Sequence, residues 1–286
     1  MLVNVKKNIL IVGLGLLGGS YARGLKKYGF KITAITKDKS SIDYAKENGI
    51  IDEGRDFPDT ELIKKADIIV FALYPHVFVE WIKEYGKYIK KGALVTDVTG
   101  VKGCIVDEIQ SLLPEGTEFV PAHPMAGREV SGVENSTEEI FKGANYIVTP
   151  TEKNTEEGIE TCCEIGRLLG FGEISVISPQ EHDEMIGFLS QLTHCIAVSL
   201  MTCNHNEQIE RFTGDSFRDL TRIAKINDEM WSELFFANKE KLLKQMELFE
   251  EQFKKLKMTL ENDDCEEMRK IMQASTKRRK KFDKEL

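Results

Sequence analysis

A glycine-rich turn near the amino end constrains the fold of this chain more than any other feature. Residues 8–20 read NILIVGLGLLGGS, so an apolar run leads through a G-x-G-x-x-G spacing into a helical pattern. In that context the first glycine permits a tight turn, the second lets the backbone approach a pyrophosphate, and the third allows close helix–strand packing. Free amides at the helix N-terminus would hold the anion. The motif predicts a dinucleotide site formed by Gly13, Leu14, Gly15, Leu16, Leu17 and Gly18.

The rest of the amino-terminal half alternates short apolar runs with helical patterns. Continuous Val, Ile and Leu runs are typical of strands buried on both faces, which predicts a parallel sheet covered by helices. A first helix is expected over residues 16–28. The predicted strands cover residues 8–12, 31–36, 67–73, 93–98, 118–120, 146–149 and 174–177.

The pattern changes at Ser178, which can cap a helix together with Glu181, while Pro179 suits the first helical position. We expect a long, mostly apolar helix from residue 179 to about 204, followed by further helices. Apolar residues at 242, 246, 249, 253, 256 and 260 form a coiled-coil-like seam. The chain is therefore expected to be an α/β protein, with a Rossmann-type dinucleotide-binding domain at residues 1–178 and an all-α substrate and dimerisation domain at residues 179–286.

The long apolar helix also predicts an oligomer. A helix that is apolar on most sides must be enclosed, and one small helical domain has little material to enclose it. A second subunit would supply the cover, so we predict a homodimer through the helical half.

Composition excludes several partners. The formal net charge of −8 disfavours nucleic-acid binding, and the basic run at residues 277–281 is expected to be a solvated helix end. The six cysteines form neither a disulfide framework nor a zinc pattern, which favours reduced thiols in a cytoplasmic protein. No apolar segment is expected to be long enough to span a bilayer.

The second strand carries the signal for the type of cofactor. An acidic residue at its end would accept hydrogen bonds from the adenosine ribose of NAD, but Thr36 and Lys37 occupy this place. A hydroxyl beside a cation suits a 2′-phosphate better, which favours NADP. Asp38 could still turn toward a ribose, so NAD stays open. Tyr74 and Pro75, just after the strand at residues 67–73, are also assigned to the cofactor site.

A histidine in the stretch AHPMAGREVSG (residues 122–132) is the candidate base. His123 follows the strand at residues 118–120, beyond the carboxyl end of the sheet, where ligands bind in open α/β folds. Pro124 restricts its backbone. Oxidation of an alcohol by a nicotinamide needs a base whose pKa is near the working pH, which suits histidine.

Six segments resemble the prephenate/arogenate dehydrogenase family. They occur in the order of that family and span most of the chain. The segments are GLGLLGGS (13–20), GIIDEG (49–54), TDVTGVKG (96–103), HPMAGREVSG (123–132), SQLTH (190–194) and FRDLTRIAKINDEMW (217–231).

The resemblance implies oxidative decarboxylation of a cyclohexadienol on the tyrosine pathway. His123 matches the catalytic histidine of the family, which accepts the hydroxyl proton while hydride passes to the nicotinamide and loss of carbon dioxide makes the ring aromatic. No metal is implied. Prephenate and arogenate, which differ by a keto or amino group on the side chain, both stay open as substrates.

The resemblance also implies a set of substrate contacts. Arg222 matches the carboxylate-binding arginine of the family, whose guanidinium can hold a carboxylate in two places. His194 matches a second active-site histidine that would donate a hydrogen bond to substrate. Glu129 matches an acidic loop residue that orders the pocket, and Trp231 is expected to pack near the site.

Two positions depart from the family pattern. Relatives often have serine where this chain has Gly100, and Thr99 could supply the missing hydroxyl as a catalytic group. Many relatives have histidine where this chain has Gln191, whose amide can still donate a hydrogen bond to substrate but cannot change charge. The length of the chain leads us to expect a monofunctional enzyme.

Two other functions are weighed against this interpretation. Another two-domain dehydrogenase, acting on a β-hydroxyacid or an imine, shares the glycine turn but does not predict the HPMAG loop or the segment at residues 222–231. A nucleotide-sensing regulator would bind a dinucleotide without chemistry, and it would tolerate the loss of His123 and Arg222.

Overall fold

The computed structural model describes residues 6–282. The outer ends of the two predicted domains, residues 1–5 and 283–286, lie outside the described residues. Two compact units are present, one ending at Asn238 and the other beginning at Lys239. The predicted domain boundary near residue 178 falls inside the first unit and stays a prediction.

A parallel six-stranded sheet forms the centre of the first unit, in the order β3-β2-β1-β4-β5-β6. This confirms the predicted α/β architecture, and the predicted strands agree within a residue or two at each end. Within this sheet, the short strand at Glu53–Arg55 was not predicted from the sequence. The six strands are β1 (Asn8–Val12), β2 (Lys31–Ile35), β3 (Glu53–Arg55), β4 (Ile68–Phe71), β5 (Leu94–Asp97) and β6 (Glu118–Phe119).

Helices cover both faces of this sheet. Ile9 and Ile11 of β1 are buried in one core cluster, whereas Leu10 and Val12 are buried in the other. Alternate residues of one strand thus enter opposite cores, which explains its unbroken apolar run. The helices of the first unit are α1 (Leu16–Lys26), α2 (Lys39–Glu47), α3 (Thr60–Lys65), α4 (Pro75–Tyr85), α5 (Val106–Leu112), α6 (Glu156–Leu169), α7 (Pro179–Ile186), α8 (Thr193–Thr202), α9 (Asp215–Thr221) and α10 (Asp228–Ala237).

A second sheet of three strands corrects the expectation of one parallel sheet. It contains β7 (Ala122–Pro124), β8 (Asn145–Val148) and β9 (Glu173–Val176), and β7 runs antiparallel to β8. His123 therefore lies in a short edge strand opposite Ile147, not in an open loop. Three residues are too few to show an alternating pattern. Pro124 is compatible with an edge strand, where its missing N–H costs no ladder bond.

The long helix begins as predicted. Ser178 and Glu181 form a reciprocal capping box, with Pro179 in the first turn. The segment at Gly187–Leu192 is a π-helix that connects α7 to α8, so the helix is continuous from Pro179 to Thr202. By length and composition alone it could cross a membrane, with a mean hydropathy of 1.4, which corrects the expectation that no segment is long enough.

The second unit is a pair of helices, α11 (Lys239–Glu261) and α12 (Cys265–Arg279). The seam predicted from residues 242–260 lies on α11. Phe253 and Leu260 of this seam are 62% and 70% exposed. The seam thus leaves large apolar side chains without cover in the single chain.

Candidate active site

The glycine turn after β1 has the geometry of a pyrophosphate cradle. Gly13 has a φ of +94°, and a Cβ there would lie 2.3 Å from the carbonyl oxygen of Ala72. A Cβ on Gly18 would lie 1.9 Å from the carbonyl oxygen of Gly13, whereas one on Gly15 would meet no atom within 4 Å. The turn and the close packing therefore require glycine at the first and third positions, and the open side of Gly15 fits an approaching anion.

The helix that follows this turn has a free N-terminus. Gly15 caps α1 without a side-chain hydrogen bond, and the first turn of α1 carries no acidic residue. Unsatisfied amides at such an end attract an anion. The residues present thus fit a dinucleotide phosphate.

A cavity of about 520 Å³ opens beside the turn and is lined by Gly13, Thr36, Lys37 and Tyr74, among others. Asp38 is the N-cap of α2, and its carboxylate accepts hydrogen bonds from the amides of Ser40 and Ser41, both at 3.1 Å. The hydroxyls of these serines lower the pKa of Asp38. Asp38 thus caps α2 with its carboxylate, and a turn toward a ribose would have to replace these hydrogen bonds.

Tyr74 and Pro75 lie where β4 leads into α4. Pro75 is the first helical residue and Tyr74 is the N-cap. The Tyr74 hydroxyl accepts a hydrogen bond of 3.3 Å from Asn227. Tyr74 lines the cavity, whereas Pro75 is buried and does not.

His123 contacts a second histidine. Its Nδ1 lies 2.9 Å from Nε2 of His182, and the Nδ1 of His182 lies 2.8 Å from Oδ1 of Asp183. Desolvation of the ring by burial lowers the pKa of His123 well below its usual range, and His182 and Lys102 add to this shift. The imidazole is thus neutral at physiological pH and can accept a proton.

A buried ion pair ties the end of β5 to the strand of His123. The Lys102 ammonium donates to Asp97 at 2.7 Å, to the Thr99 hydroxyl at 3.2 Å and to the Ala122 carbonyl at 2.6 Å. The other oxygen of Asp97 accepts the Ala122 amide at 3.0 Å. Since Ala122 precedes His123, this network fixes the histidine at the carboxyl edge of the large sheet.

The structure contradicts the predicted catalytic role of Thr99. Its side chain is 4% exposed, and its hydroxyl donates within the same network, toward Asp97 and the Val101 carbonyl. The hydroxyl is therefore committed to the Asp97–Lys102 network. Gly100 is the residue that faces the histidine, because a Cβ there would lie 3.9 Å from Cε1 of His123.

The other predicted residues gather around a second cluster. Arg222 pairs with Glu129, and the two side chains are 64% and 39% exposed. His194 stacks on Trp231 with ring centroids 3.7 Å apart. Burial lowers the pKa of His194, and the charges of Glu129 and Arg222 also act on it. These four residues thus share one neighbourhood.

The structure corrects the predicted roles of two residues on the long helix. Nδ1 of His194 donates to the Ser190 carbonyl at 2.8 Å, so the neutral ring offers Nε2 as an acceptor and not as a donor. Gln191 is 1% exposed, donates to the Leu234 carbonyl at 2.8 Å and accepts from Asn238 at 2.8 Å. Both ends of its amide therefore bond inside the protein, and the buried side chain does not face a substrate.

Helix α10 connects the two clusters. Trp231 stacks on His194, and the Leu234 side chain lies 3.5 Å from the Cβ position of Gly100, beside His123. Residues three apart share a helix face. Trp231 and Leu234 thus place His194 and the Gly100–His123 region along one face of α10, and Gln191 bonds to the backbone of this helix from within.

Three further residues belong to this site and were not predicted from the sequence: Lys102, His182 and Asp183. Each is a buried ionisable side chain with hydrogen-bond partners from a distant part of the chain. In the sequence the pair at 182–183 stands between Glu181 and Glu184, so the local pattern does not mark it as buried. Within residues 6–282, no group of three or more His, Cys, Asp or Glu side chains is arranged to hold a metal ion.

Comparison with known proteins identifies the family. The model of the prephenate dehydrogenase nucleotide-binding domain matches residues 21–170, and the model of the prephenate dehydrogenase dimerization domain matches residues 178–274. The chain belongs to the prephenate dehydrogenase family. A prephenate dehydrogenase of Bacillus subtilis (strain 168) is 32% identical over 273 residues, which cover 92% of this chain and 73% of that relative.

Two solved structures resemble the whole chain. A prephenate dehydrogenase of A. aeolicus, in complex with hydroxyphenyl propionate and NAD⁺, has a TM-score of 0.88 and 31% identity, covering 97% of this chain and 98% of its own. An arogenate dehydrogenase of Synechocystis has a TM-score of 0.83 and 25% identity, covering 96% and 100%. These comparisons confirm the resemblance stated from the sequence and the predicted fold class.

Proposed function

We propose that this chain oxidatively decarboxylates prephenate to 4-hydroxyphenylpyruvate, with hydride transfer to a nicotinamide dinucleotide, in tyrosine biosynthesis. One observation carries the proposal: a neutral histidine, bonded through Nδ1 and fixed at the carboxyl edge of a dinucleotide-binding sheet. A base in that place is what alcohol oxidation requires. Membership of the prephenate dehydrogenase family supports the choice of substrate.

The glycine turn and the N-terminus of α1 would hold the cofactor pyrophosphate, with the adenosine half in the cavity beside Thr36 and Lys37. When bound, the nicotinamide supplies the hydride acceptor. His123 takes the hydroxyl proton as the carbinol carbon loses hydride, which leaves a ketone in the ring. Loss of carbon dioxide then returns its electron pair to the ring, and His123 gives the proton back to the phenolate oxygen.

The charge state of His123 sets the pH range of this cycle. The neutral form is the base, and desolvation by burial lowers the pKa of His123 well below its usual range. We therefore expect kcat/KM to stay constant as the pH falls through 6.5 and to decline only in more acidic solution. A profile that declines with an apparent pKa at or above 6.5 would contradict this assignment.

Arg222 is proposed to bind a substrate carboxylate. Its guanidinium is largely exposed and already pairs with the carboxylate of Glu129, so an incoming carboxylate finds a donor in place. His194 and Trp231 would form the wall beside it, with the free Nε2 of His194 accepting a hydrogen bond from the substrate side chain or from water.

Arogenate is the second candidate substrate. Its side-chain ammonium could donate to Nε2 of the neutral His194, whereas the keto group of prephenate cannot. The resemblance to an arogenate dehydrogenase also supports this alternative. An assay of cofactor reduction with each substrate, and with NAD⁺ and NADP⁺, tests both. Turnover of neither substrate would contradict the proposed function and would favour a regulator that binds a dinucleotide without chemistry.

Preference for NADP is proposed from Thr36 and Lys37. Asp38 caps α2 by accepting the amides of Ser40 and Ser41, so binding a ribose would cost these hydrogen bonds. Lys37→Gln should lower kcat/KM with NADP⁺ more than with NAD⁺, and Lys39→Gln, a nearby exposed lysine on α2, serves as the matched control. An equal effect of Lys37→Gln on both cofactors would contradict the preference.

A cytoplasmic homodimer through the helical domain at residues 179–286 completes the proposal. Only 28% of the most apolar window of the helix Pro179–Thr202 is buried within the chain, and the family model that matches residues 178–274 is described as a dimerization domain. Sedimentation of a dilute sample should give twice the mass of one chain. A monomer at micromolar concentration would contradict the dimer.

A further inference from the structure

A buried histidine and aspartate stand behind His123 and take no part in the reaction described above. His182 and Asp183 lie on α7, and their side chains are 0% and 4% exposed. Ionisable groups are seldom so deeply buried unless they are paired. Their hydrogen bonds determine where each proton of this cluster resides.

The first step concerns Asp183. Its carboxylate accepts the amides of Lys102 at 2.9 Å and Gly103 at 2.8 Å, together with Nδ1 of His182 at 2.8 Å. Burial alone would raise the pKa of Asp183, but these hydrogen bonds lower it below its usual range. The carboxylate is therefore ionised and has no hydrogen to donate, so the hydrogen between the two side chains belongs to Nδ1 of His182.

The second step concerns the contact between the two histidines. Burial lowers the pKa of His182, and the hydrogen bond from its ring to Asp183 opposes this shift only in part. A neutral ring with its hydrogen on Nδ1 has a lone pair on Nε2. Because this Nε2 lies 2.9 Å from Nδ1 of His123, the hydrogen of that contact must be on His123.

We propose that His182 and Asp183 are positioning residues that hold His123 as the Nδ1–H tautomer, so that its Nε2 is the atom that accepts the substrate proton. This inference rests on the proposed function of His123. Protonation at Nε2 leaves the hydrogen bonds behind the ring unchanged, because Nδ1 of His123 already donates. Asp183 also accepts the amides of Lys102 and Gly103. These hydrogen bonds connect the His182–Asp183 pair to the loop that contains Gly100.

The tautomer can be measured without turnover. Nitrogen-15 NMR of the full chain, labelled at histidine, separates protonated from unprotonated ring nitrogens, and His123→Asn identifies the signals of residue 123. We expect His123 to be protonated at Nδ1 and unprotonated at Nε2 at neutral pH. A neutral His123 protonated at Nε2 would overturn the inference, whether or not the proposed substrate is turned over.

Two variants of His182 test the consequence for activity. His182→Gln keeps an acceptor near the position of Nε2, whereas His182→Leu keeps bulk without an acceptor. Loss of tautomer control should lower kcat about 100-fold in His182→Leu with unchanged cofactor affinity, and His182→Gln should recover kcat to within about 10-fold of wild type.

The tautomer of His123 and the pH profile of kcat/KM show whether His182 positions the base or only fills space beside it. In His182→Leu the signals of His123 should show both tautomers, and the acid limb of kcat/KM should move, while His182→Gln should keep the wild-type tautomer. Equal kcat in the two variants, with an unchanged tautomer and acid limb, would overturn the inference. If His182→Leu does not fold, the tautomer of the wild-type chain still decides the matter.

Discussion

The two ends of the site differ in how they hold charge. Around His123, the pair Lys102–Asp97 is fully buried and every proton of the Lys102 ammonium has an acceptor. Around Arg222, the pair with Glu129 is largely exposed. The end around His123 is fixed before a substrate arrives. At the other end, a substrate carboxylate can replace Glu129 as the partner of Arg222.

This difference follows from what each end has to do. A histidine is an effective proton acceptor only when its ring is held in one orientation and one tautomer. A buried hydrogen-bond network holds the ring in this way. A carboxylate site must remain accessible, and an exposed ion pair can be exchanged at little cost. Substitutions should therefore have effects that become smaller from the buried end of the site to the exposed end.

Removing one partner of each ion pair should have the most unequal effect. Lys102→Met leaves Asp97 buried without a counter-charge, so we expect a loss of about 3–5 kcal/mol in the free energy of unfolding. Arg222→Met removes an exposed charge and should cost under about 1 kcal/mol. Urea denaturation of both variants measures the difference. Equal losses would show that the two ends are not distinct.

The next effect concerns substrate affinity. Arg222→Gln should raise the substrate KM about 10- to 100-fold, because a charge-assisted contact is worth about 1.5–3 kcal/mol. The KM for the cofactor should not change, since the cofactor contacts lie at the glycine turn. Steady-state kinetics measures both constants, with the exposed Arg218→Gln as the control. An unchanged substrate KM would place the carboxylate elsewhere.

The smallest effect belongs to Glu129. Its carboxylate competes with a substrate carboxylate for Arg222, so Glu129→Gln should lower the substrate KM by less than about fivefold. The unfolding midpoint should stay within about one degree. A rise of tenfold or more in KM would instead mean that Glu129 itself contacts the substrate.

Much of the fold could be predicted from local patterns. The glycine turn, the buried strands and the capping box at Ser178 each depend on residues close together in the sequence, and each is present in the structure. The three-residue strand of His123 could not be predicted, since it exists only through its pairing with β8. The second sheet was therefore missed.

In the site, too, residues in local motifs could be predicted, whereas contacts between distant parts of the chain could not. His123, Arg222, His194 and Trp231 could be placed from their motifs. The structure groups Arg222, His194 and Trp231, and it places His123 beside Gly100 near the same helix. The Thr99 hydroxyl bonds to residues two or three positions away, whereas Gln191 bonds to residues more than forty positions away. Such long-range hydrogen bonds leave no trace in the spacing of residues. Lys102 and His182 were missed for the same reason.

The most direct test of the account replaces the proposed base. His123→Asn should lower kcat about 100- to 10,000-fold, while the cofactor dissociation constant, measured on the same preparation by fluorescence titration, stays within about twofold of wild type. That result would place the proton acceptor at His123. A loss of only a few-fold in kcat, with cofactor binding intact, would contradict the central claim.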